Sequence, residues 1–170
     1  MPYRGEVRSI PERQRIGPQG TQRTQRKEKE FREKGGGRPL TPDEDALSHQ
    51  VIGAAIEVHR HLGPGLLESA YEECLAYEFA QCGLTFERQK PLPVQYKGVK
   101  LDCGFRLDFL VGKLVVVEVK AVEALAPVHS AQVLTYLRLT GCRLGLLLNF
   151  NEWRIGDGIK RLVLNLTDRK

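Results

Sequence analysis

Apolar residues recur at helical spacing in three segments of the chain, and each segment predicts a helix. The first runs from the candidate N-cap Thr41 to a break at 63–65, where glycine flanks proline on both sides. The second is predicted over 66–81 and the third over 127–140, where Gly141 suits a left-handed cap. The expected apolar positions are Leu47, Val51, Ile52, Ala55, Ile56, His59 and Leu62 in the first helix and Leu67, Tyr71, Leu75 and Phe79 in the second.

Elsewhere after residue 83 the pattern changes to short runs rich in β-branched and aromatic residues. These runs predict extended segments at 84–89, 91–96, 99–111, 114–120, 143–150 and 160–166. The run at 143–150 is strongly apolar, as expected of a central strand buried on both faces. The pattern therefore indicates an α/β or α+β fold, in which helices flank a mixed central β-sheet.

Residues 1–40 differ from the rest of the chain in composition and charge. They hold eleven basic and five acidic residues, so they contribute +6 to the net charge of +5 and leave −1 for 41–170. Their few large apolar side chains cannot offset the entropy of ordering, so we expect a disordered basic tail before one folded domain at 41–170. The tail could be a phosphate-binding arm or a solvated extension, and the sequence leaves both open.

Several classes of protein are disfavoured by what the sequence lacks. No apolar run approaches the roughly 20 residues of a membrane helix, and the N-terminus has no apolar signal-peptide core. We therefore expect no membrane partner and a cytoplasmic location. The cysteines have no CxxC spacing, which indicates reduced thiols at Cys74, Cys82, Cys103 and Cys142.

The candidate chemistry lies in two neighbouring extended segments. Glu118 and Lys120 alternate with valines, so both charged side chains project from one face of a strand, and Asp108 stands ten residues before Glu118. Carboxylates paired on a sheet face can bind Mg²⁺ or Mn²⁺, and a lysine beside them can orient or deprotonate a water molecule. This indicates metal-assisted hydrolysis of phosphodiester bonds. The same alternation is also typical of the solvent face of an amphipathic strand.

The strand register decides whether Asp108 can meet Glu118. Facing residues of an antiparallel hairpin have numbers with a constant sum, which is 225 for a two-residue turn at 112–113 and 226 for a three-residue loop or a bulge at 112–114. Only the second pairs Asp108 with Glu118, and it also collects the apolar side chains on the opposite face. We predict this register, in which Asp108, Glu118 and the carbonyl of Val119 coordinate the cation and Lys120 holds or activates the water. The apolar set consists of Leu107, Phe109, Val111, Val115, Val117 and Val119.

Two helical motifs add candidate residues. The motif Gly65-x-x-Glu68-x-x-Tyr71 opens the second helix and places Glu68 and Tyr71 on one face, although the helix dipole also explains an acid there. Gln132 and Tyr136, four positions apart, share a face of the third helix. The glutamine amide could hold a phosphate or the water, or it could be a surface residue beside a core tyrosine.

Taken together, these motifs resemble the GxxExxY protein family, a branch of the PD-(D/E)XK nuclease superfamily. The resemblance extends along the predicted domain and excludes residues 1–40. It implies a restriction-endonuclease-like core with a metal site built from Glu68, Asp108, Glu118 and Lys120, while Gln132 and Tyr136 match a Q-x-x-x-Y helix. The segments that carry it are 51–59, 62–65, 68–71, 90–94, 96–99, 117–120, 132–137 and 145–150, together with Asp108.

Residues and resemblance together lead to a Mg²⁺-dependent nuclease that acts on DNA, in repair or in defence. The alternative is a non-catalytic module that keeps the nuclease fold and binds nucleic acid or protein. It is supported by the small size of the predicted domain and by its net charge of −1, which offers no obvious basic cleft. A homodimer could supply the missing surface through Trp153 and the apolar segment 162–164.

Overall fold

The structure is a computed structural model, and it describes residues 39–102 and 104–164. The predicted disorder of the tail therefore lies outside the described residues up to position 38, as do the Cys103 thiol and the predicted strand end at 165–166. The two described residues before the predicted domain boundary contact the fold. Leu40 packs against the core, and the Pro39 carbonyl accepts a hydrogen bond from Arg143 Nη1 at 3.2 Å.

Four helices and seven strands make up the described part of the chain. The helices are α1 (Pro42–Leu62), α2 (Glu68–Gln81), α3 (Pro127–Thr140) and the short α4 (Ile155–Gly158). The strands are β1 (Phe86–Pro91), β2 (Val94–Tyr96), β3 (Val99–Leu101), β4 (Arg106–Val111), β5 (Val115–Lys120), β6 (Leu144–Asn149) and β7 (Ile159–Val163). The three predicted helices are confirmed, whereas the single turn of α4 carries no periodic signal and was not predicted.

Helix α1 begins at a capping box, as the acids after Thr41 suggested. Thr41 Oγ1 accepts from the Glu44 N–H at 3.2 Å, and Glu44 Oε2 accepts from the Thr41 N–H at 2.7 Å. The predicted apolar stripe was partly wrong, because Ile56 is 47% exposed and Ala54 and Val58 are buried instead. The face of α1 that packs on the core is thus rotated by about one position from the predicted apolar face.

Helix α2 begins two residues later than predicted. Leu67 is its N-cap in an extended conformation and is 77% exposed, so its predicted place on the apolar side is wrong. The turn before it needs glycine, since Gly65 has a φ of 103° that an L-residue rarely adopts. Tyr71, Leu75 and Phe79 are buried as predicted.

The main sheet has the order β1-β4-β5-β6-β7, with parallel pairing only between β5 and β6. Helix α3 provides the crossover that a parallel pair requires. The fold class of a mixed sheet with flanking helices is confirmed. The segment predicted as one strand over 99–111 is divided, because Gly104 has a φ of 70° and β3 pairs only with β2 in a separate hairpin.

The register of β4 and β5 is the predicted one. Phe109 faces Val117, and the ladder continues to Val111 and Val115, all with residue numbers that sum to 226. The connecting turn has positive φ at both Gly112 and Lys113, as in a type I′ turn, and Leu114 N–H donates to the Val111 carbonyl at 3.0 Å. The predicted three-residue loop is therefore confirmed.

Both faces of the sheet are buried, which the sequence indicated only for β6. Phe109, Val117 and Val119 share one buried face, as predicted, and they pack there in a core cluster with α1 and α2. Leu107 is an exception, because it belongs to a second cluster on the α3 side with Val116 and Tyr136. The charged face of β5 is therefore covered by α3 and does not face open solvent. Among the described helices, none has both the length and the apolar character needed to cross a membrane.

Candidate functional site

The predicted acids and lysine meet at the C-terminal end of β5. Because β5 and β6 are parallel, Lys120 lies beside Asn149 at the same edge of the sheet. The first turn of α2 reaches this edge, where Glu68 Oε1 accepts from the Ala121 N–H at 3.2 Å. The chain thus brings a helix start and two strand ends to one place.

Asp108 lies where the β4–β5 ladder ends. The last pair of that ladder is Phe109 and Val117, and beyond it Asp108 Oδ2 accepts from the Val119 N–H at 2.8 Å. Burial raises the pKa of Asp108, and the negative charge of Glu72 adds to the shift, although the bond from Val119 opposes it. The Asp108 carboxylate therefore takes the place of a main-chain carbonyl as the partner of the Val119 N–H, and its negative charge acts on the neighbouring Glu118.

Glu118 is 2% exposed and forms an ion pair with Lys120, whose Nζ donates to Glu118 Oε1 at 2.6 Å. Burial, with the charge of Asp108, raises the pKa of Glu118 to about 7. For Lys120 burial acts in the opposite direction, but the bond to Glu118 and the charges of Glu118 and Glu68 outweigh it and raise the pKa. Burial is the main cause of the Glu118 shift and nearby negative charge adds to it, whereas for Lys120 the nearby negative charges outweigh burial.

The donor set suits a hard divalent cation, although the carboxylates are partly engaged elsewhere. Within 39–102 and 104–164, no group of three or more His, Cys, Asp or Glu side chains is arranged to hold a metal ion. Glu68 and Asp108 each bind a main-chain N–H, whereas Glu118 Oε2 is buried and has no hydrogen-bond partner. A buried oxygen without a partner is costly, and a cation would satisfy it. Coordination by the Val119 carbonyl stays a prediction.

Glu72 and Gln89 also belong to this site and were not predicted. Gln89 Nε2 donates to Glu72 Oε2 at 2.9 Å and to Asp108 Oδ1 at 3.1 Å, which joins two acids through one amide. Gln89 has a φ of 48°, an uncommon conformation for a residue other than glycine. Glu72 stands four positions after Glu68, so helical spacing could have identified it, but the place of Gln89 depends on how β1 pairs with β4.

Gln132 and Tyr136 share a face of α3, as predicted, and bond to each other. Gln132 Nε2 donates to Tyr136 Oη at 2.7 Å, and the Tyr136 hydroxyl donates to the Arg106 carbonyl at 3.1 Å. Burial raises the pKa of Tyr136, and the charges of Glu118 and Asp108 add to the shift. The pair therefore connects α3 to β4 two residues before Asp108.

Tyr71 positions the start of α2 and does not enter the acid cluster. Its hydroxyl donates to the Gly63 carbonyl at 2.7 Å and accepts from the Leu66 N–H at 3.1 Å, while its ring stacks on Phe150 at 4.4 Å. These contacts fix the turn that leads to Glu68.

Comparison with known protein families agrees with this arrangement. Residues 45–162 match the family model of the PD-(D/E)XK nuclease superfamily. Since the match covers well over half of the chain, the protein belongs to this superfamily. The corresponding comparisons with curated proteins and with solved structures gave no match. The resemblance inferred from the sequence is thus confirmed at the level of the superfamily.

Glu118→Gln is expected to remove a pH dependence of stability from the metal-free protein. The pKa of Glu118 is about 7 in the folded protein against an ordinary value of 4.5, so its contribution is present below pH 4.5 and is lost as the pH rises towards 7. One unit of pKa corresponds to about 1.4 kcal/mol, and part of the shift is shared with the ion pair to Lys120. We therefore expect the free energy of unfolding of Glu118→Gln, relative to the wild type, to be about 1–2 kcal/mol higher at about pH 8 than at about pH 5.

Urea unfolding in EDTA at about pH 5 and about pH 8 measures this gain. The exposed Glu123→Gln is the matched control and should keep the pH dependence of the wild type. If the free energies of unfolding of Glu118→Gln and the wild type differed by the same amount at both pH values, the raised pKa of Glu118 would be contradicted.

Proposed function

We propose that this protein is a metal-dependent nuclease that hydrolyses phosphodiester bonds in DNA. The observation that carries the proposal is the buried Glu118 Oε2, which has no hydrogen-bond partner although Glu118 Oε1 binds Lys120. An acidic side chain with one free oxygen, beside a second carboxylate and a lysine, is suited to a divalent cation and a phosphate.

The carboxylates of Glu68, Asp108 and Glu118 would hold Mg²⁺ or Mn²⁺, together with the main-chain carbonyl of Val119. When bound, the cation would lower the pKa of a water molecule and stabilise negative charge on the phosphate. The hydrogen bonds of Glu68 and Asp108 to main-chain N–H groups keep both carboxylates at the end of β5. Both carboxylates are therefore close enough to Glu118 for their negative charges to raise its pKa.

Lys120 would hold the attacking water and stabilise phosphate charge. Its pKa is raised by Glu118 and Glu68 despite burial, so the side chain remains a protonated ammonium near neutral pH. A protonated lysine donates hydrogen bonds and does not accept a proton, which favours electrostatic stabilisation over general-base catalysis. Gln132, bonded to Tyr136 on α3, would add an amide near the phosphate.

Within the superfamily, we place the protein with the GxxExxY type. Three features of the turn before α2 support this assignment. Gly65 adopts a positive φ, Glu68 reaches the end of β5, and Tyr71 binds the turn through its hydroxyl. In this motif the glycine permits the turn, the glutamate reaches the candidate site, and the tyrosine holds the turn in place.

A cleavage assay tests the proposal. Purified protein is incubated with single-stranded and double-stranded DNA in Mg²⁺, in Mn²⁺ or in EDTA, beside Asp108→Ala and the exposed control Asp43→Ala. We expect cleavage that requires a divalent cation, is lost in Asp108→Ala and persists in Asp43→Ala. Cleavage by Asp108→Ala at the wild-type rate would contradict the assignment of the reaction to this site.

Thermal unfolding with and without Mg²⁺ separates a nuclease from a module that only keeps the fold. Carboxylates that repel one another without metal bind a cation in the native state alone, so Mg²⁺ should raise the Tm. Glu118→Gln should abolish the increase. Identical melting curves in Mg²⁺ and EDTA, together with no cleavage of any substrate, would favour the non-catalytic module.

A further inference from the structure

Two pockets follow one another along α3. The first, which we call the apolar pocket, has a volume of about 330 Å³, and the second, the basic pocket, has about 370 Å³. Helix α3 contributes Val128, Ala131, Gln132, Thr135 and Tyr136 to the apolar pocket and Arg138 and Leu139 to the basic pocket. At 1.5 Å per residue, the ten steps from Val128 to Arg138 span roughly 15 Å. Ala131, Thr135 and Arg138 follow one another at spacings of four and three, so both pockets open on one face of α3, and we call this face the groove.

The apolar pocket lies directly beside the candidate site. Its wall includes Tyr136, whose hydroxyl donates to the Arg106 carbonyl two residues before Asp108. Opposite α3 the wall includes Phe105, a ring that is 41% exposed, and Val128 is 65% exposed. An exposed aromatic ring in a mainly apolar pocket can stack on a nucleobase, because every base has a π-face.

The basic pocket carries two exposed cations from different elements. Lys100 comes from β3 and Arg138 from α3, and both side chains are exposed. None of the ion pairs described within 39–102 and 104–164 involves either residue. Arg138 lies six residues, about 1.7 helical turns, beyond Gln132, and together with Lys100 it is suited to a backbone phosphate.

We propose that this groove binds single-stranded DNA, with an unstacked base on Phe105 in the apolar pocket and a phosphate on Lys100 and Arg138. The inference rests on the proposed function, since it assigns the strand form on which the nuclease acts. A duplex keeps its bases stacked and paired, so it cannot fill the apolar pocket without flipping a base out. The net charge of −1 for 41–170 also gives no overall attraction for the dense negative charge of a duplex.

Binding measured without cleavage tests the stacked base. Fluorescence anisotropy in EDTA compares a labelled 12-nucleotide single strand with the same sequence as a duplex. We expect the single strand to bind at least about tenfold more tightly, and Phe105→Ala to weaken it about tenfold. Phe105→Trp should retain the affinity, and Tyr77→Ala, which removes an exposed aromatic ring from α2, should not change it.

The salt dependence of the same binding tests the phosphate. Loss of one phosphate contact to a single strand lowers the slope of log K against log salt by about 0.7. Because both cations are assigned to one phosphate, we expect a decrease of up to this size for Lys100→Ala and for Arg138→Ala, and an unchanged slope for Lys160→Ala on the exposed face of β7.

Equal affinity for single strand and duplex would overturn the inference, as would a Phe105→Ala variant that binds like Tyr77→Ala. Because the binding assay contains no divalent cation, its result is independent of catalysis. Strand-selective binding without any cleavage would reject the nuclease and keep the groove. Metal-dependent cleavage without strand selectivity would reject the groove and keep the nuclease.

Discussion

Lys120→Met is expected to lower the rate of DNA cleavage by at least about a hundredfold while the protein remains folded. The substitution keeps an unbranched, flexible side chain that is one atom shorter, and it removes the ammonium that binds Glu118 Oε1 at 2.6 Å. Without it, Glu118 loses its ammonium partner, while Arg88, the other cation of the described residues that pairs with an acid of the site, is bound to Glu72 and Glu73. Initial rates on single-stranded DNA under saturating Mg²⁺ measure the effect, and circular dichroism verifies the fold.

The matched control is Lys160→Met, which removes one positive charge from an exposed position on β7 and should cleave at the wild-type rate. Lys120→Arg adds a second comparison, because it keeps the charge but changes the shape of the donor. We expect it to recover only part of the activity. Wild-type cleavage by Lys120→Met would mean that Lys120 only neutralises Glu118 and takes no part in the reaction.

The centre of the site could be predicted because strand geometry leaves few choices. A side-chain period of two that gathers the apolar residues of β4 and β5 on one face excludes the 225 register and favours the 226 register, and the structure has the latter. The contact between Asp108 and the Val119 N–H follows from the same pairing, since the ladder ends at Phe109, the residue next to Asp108. Local rules thus bring the Asp and the Glu-x-Lys segment together.

The surroundings of the site could not be predicted, because they depend on contacts distant in sequence. Gln89 meets Asp108 only through the pairing of β1 with β4, and its positive φ has no sequence signal comparable to a glycine. Leu107 shares the parity of Phe109 but packs on the α3 side, so alternation alone assigned it wrongly. In α1 the buried face follows the neighbouring elements and not the largest apolar side chains.

Asn149→Ala is expected to destabilise the protein by about 2–4 kcal/mol, because it leaves two main-chain groups of one residue without partners. The Asn149 side chain is fully buried, accepts from the Val122 N–H at 3.0 Å and donates to the Val122 carbonyl at 2.9 Å. This pair of hydrogen bonds from the end of β6 holds the main chain in place two residues after Lys120. Urea unfolding in EDTA measures the loss of free energy.

The same substitution should also lower the cleavage rate, since Val122 follows Ala121, whose N–H binds Glu68. A segment that is free to move would displace Glu68 and Lys120 together. Asn151→Ala is the matched control, because it removes a nearby asparagine side chain that is only partly buried, and it should retain both stability and rate. Equal unfolding free energies for the two variants would show that the Val122 bonds contribute little. A loss of stability without a loss of cleavage rate would show that the Val122 hydrogen bonds stabilise the fold but do not position Glu68 and Lys120 for the reaction.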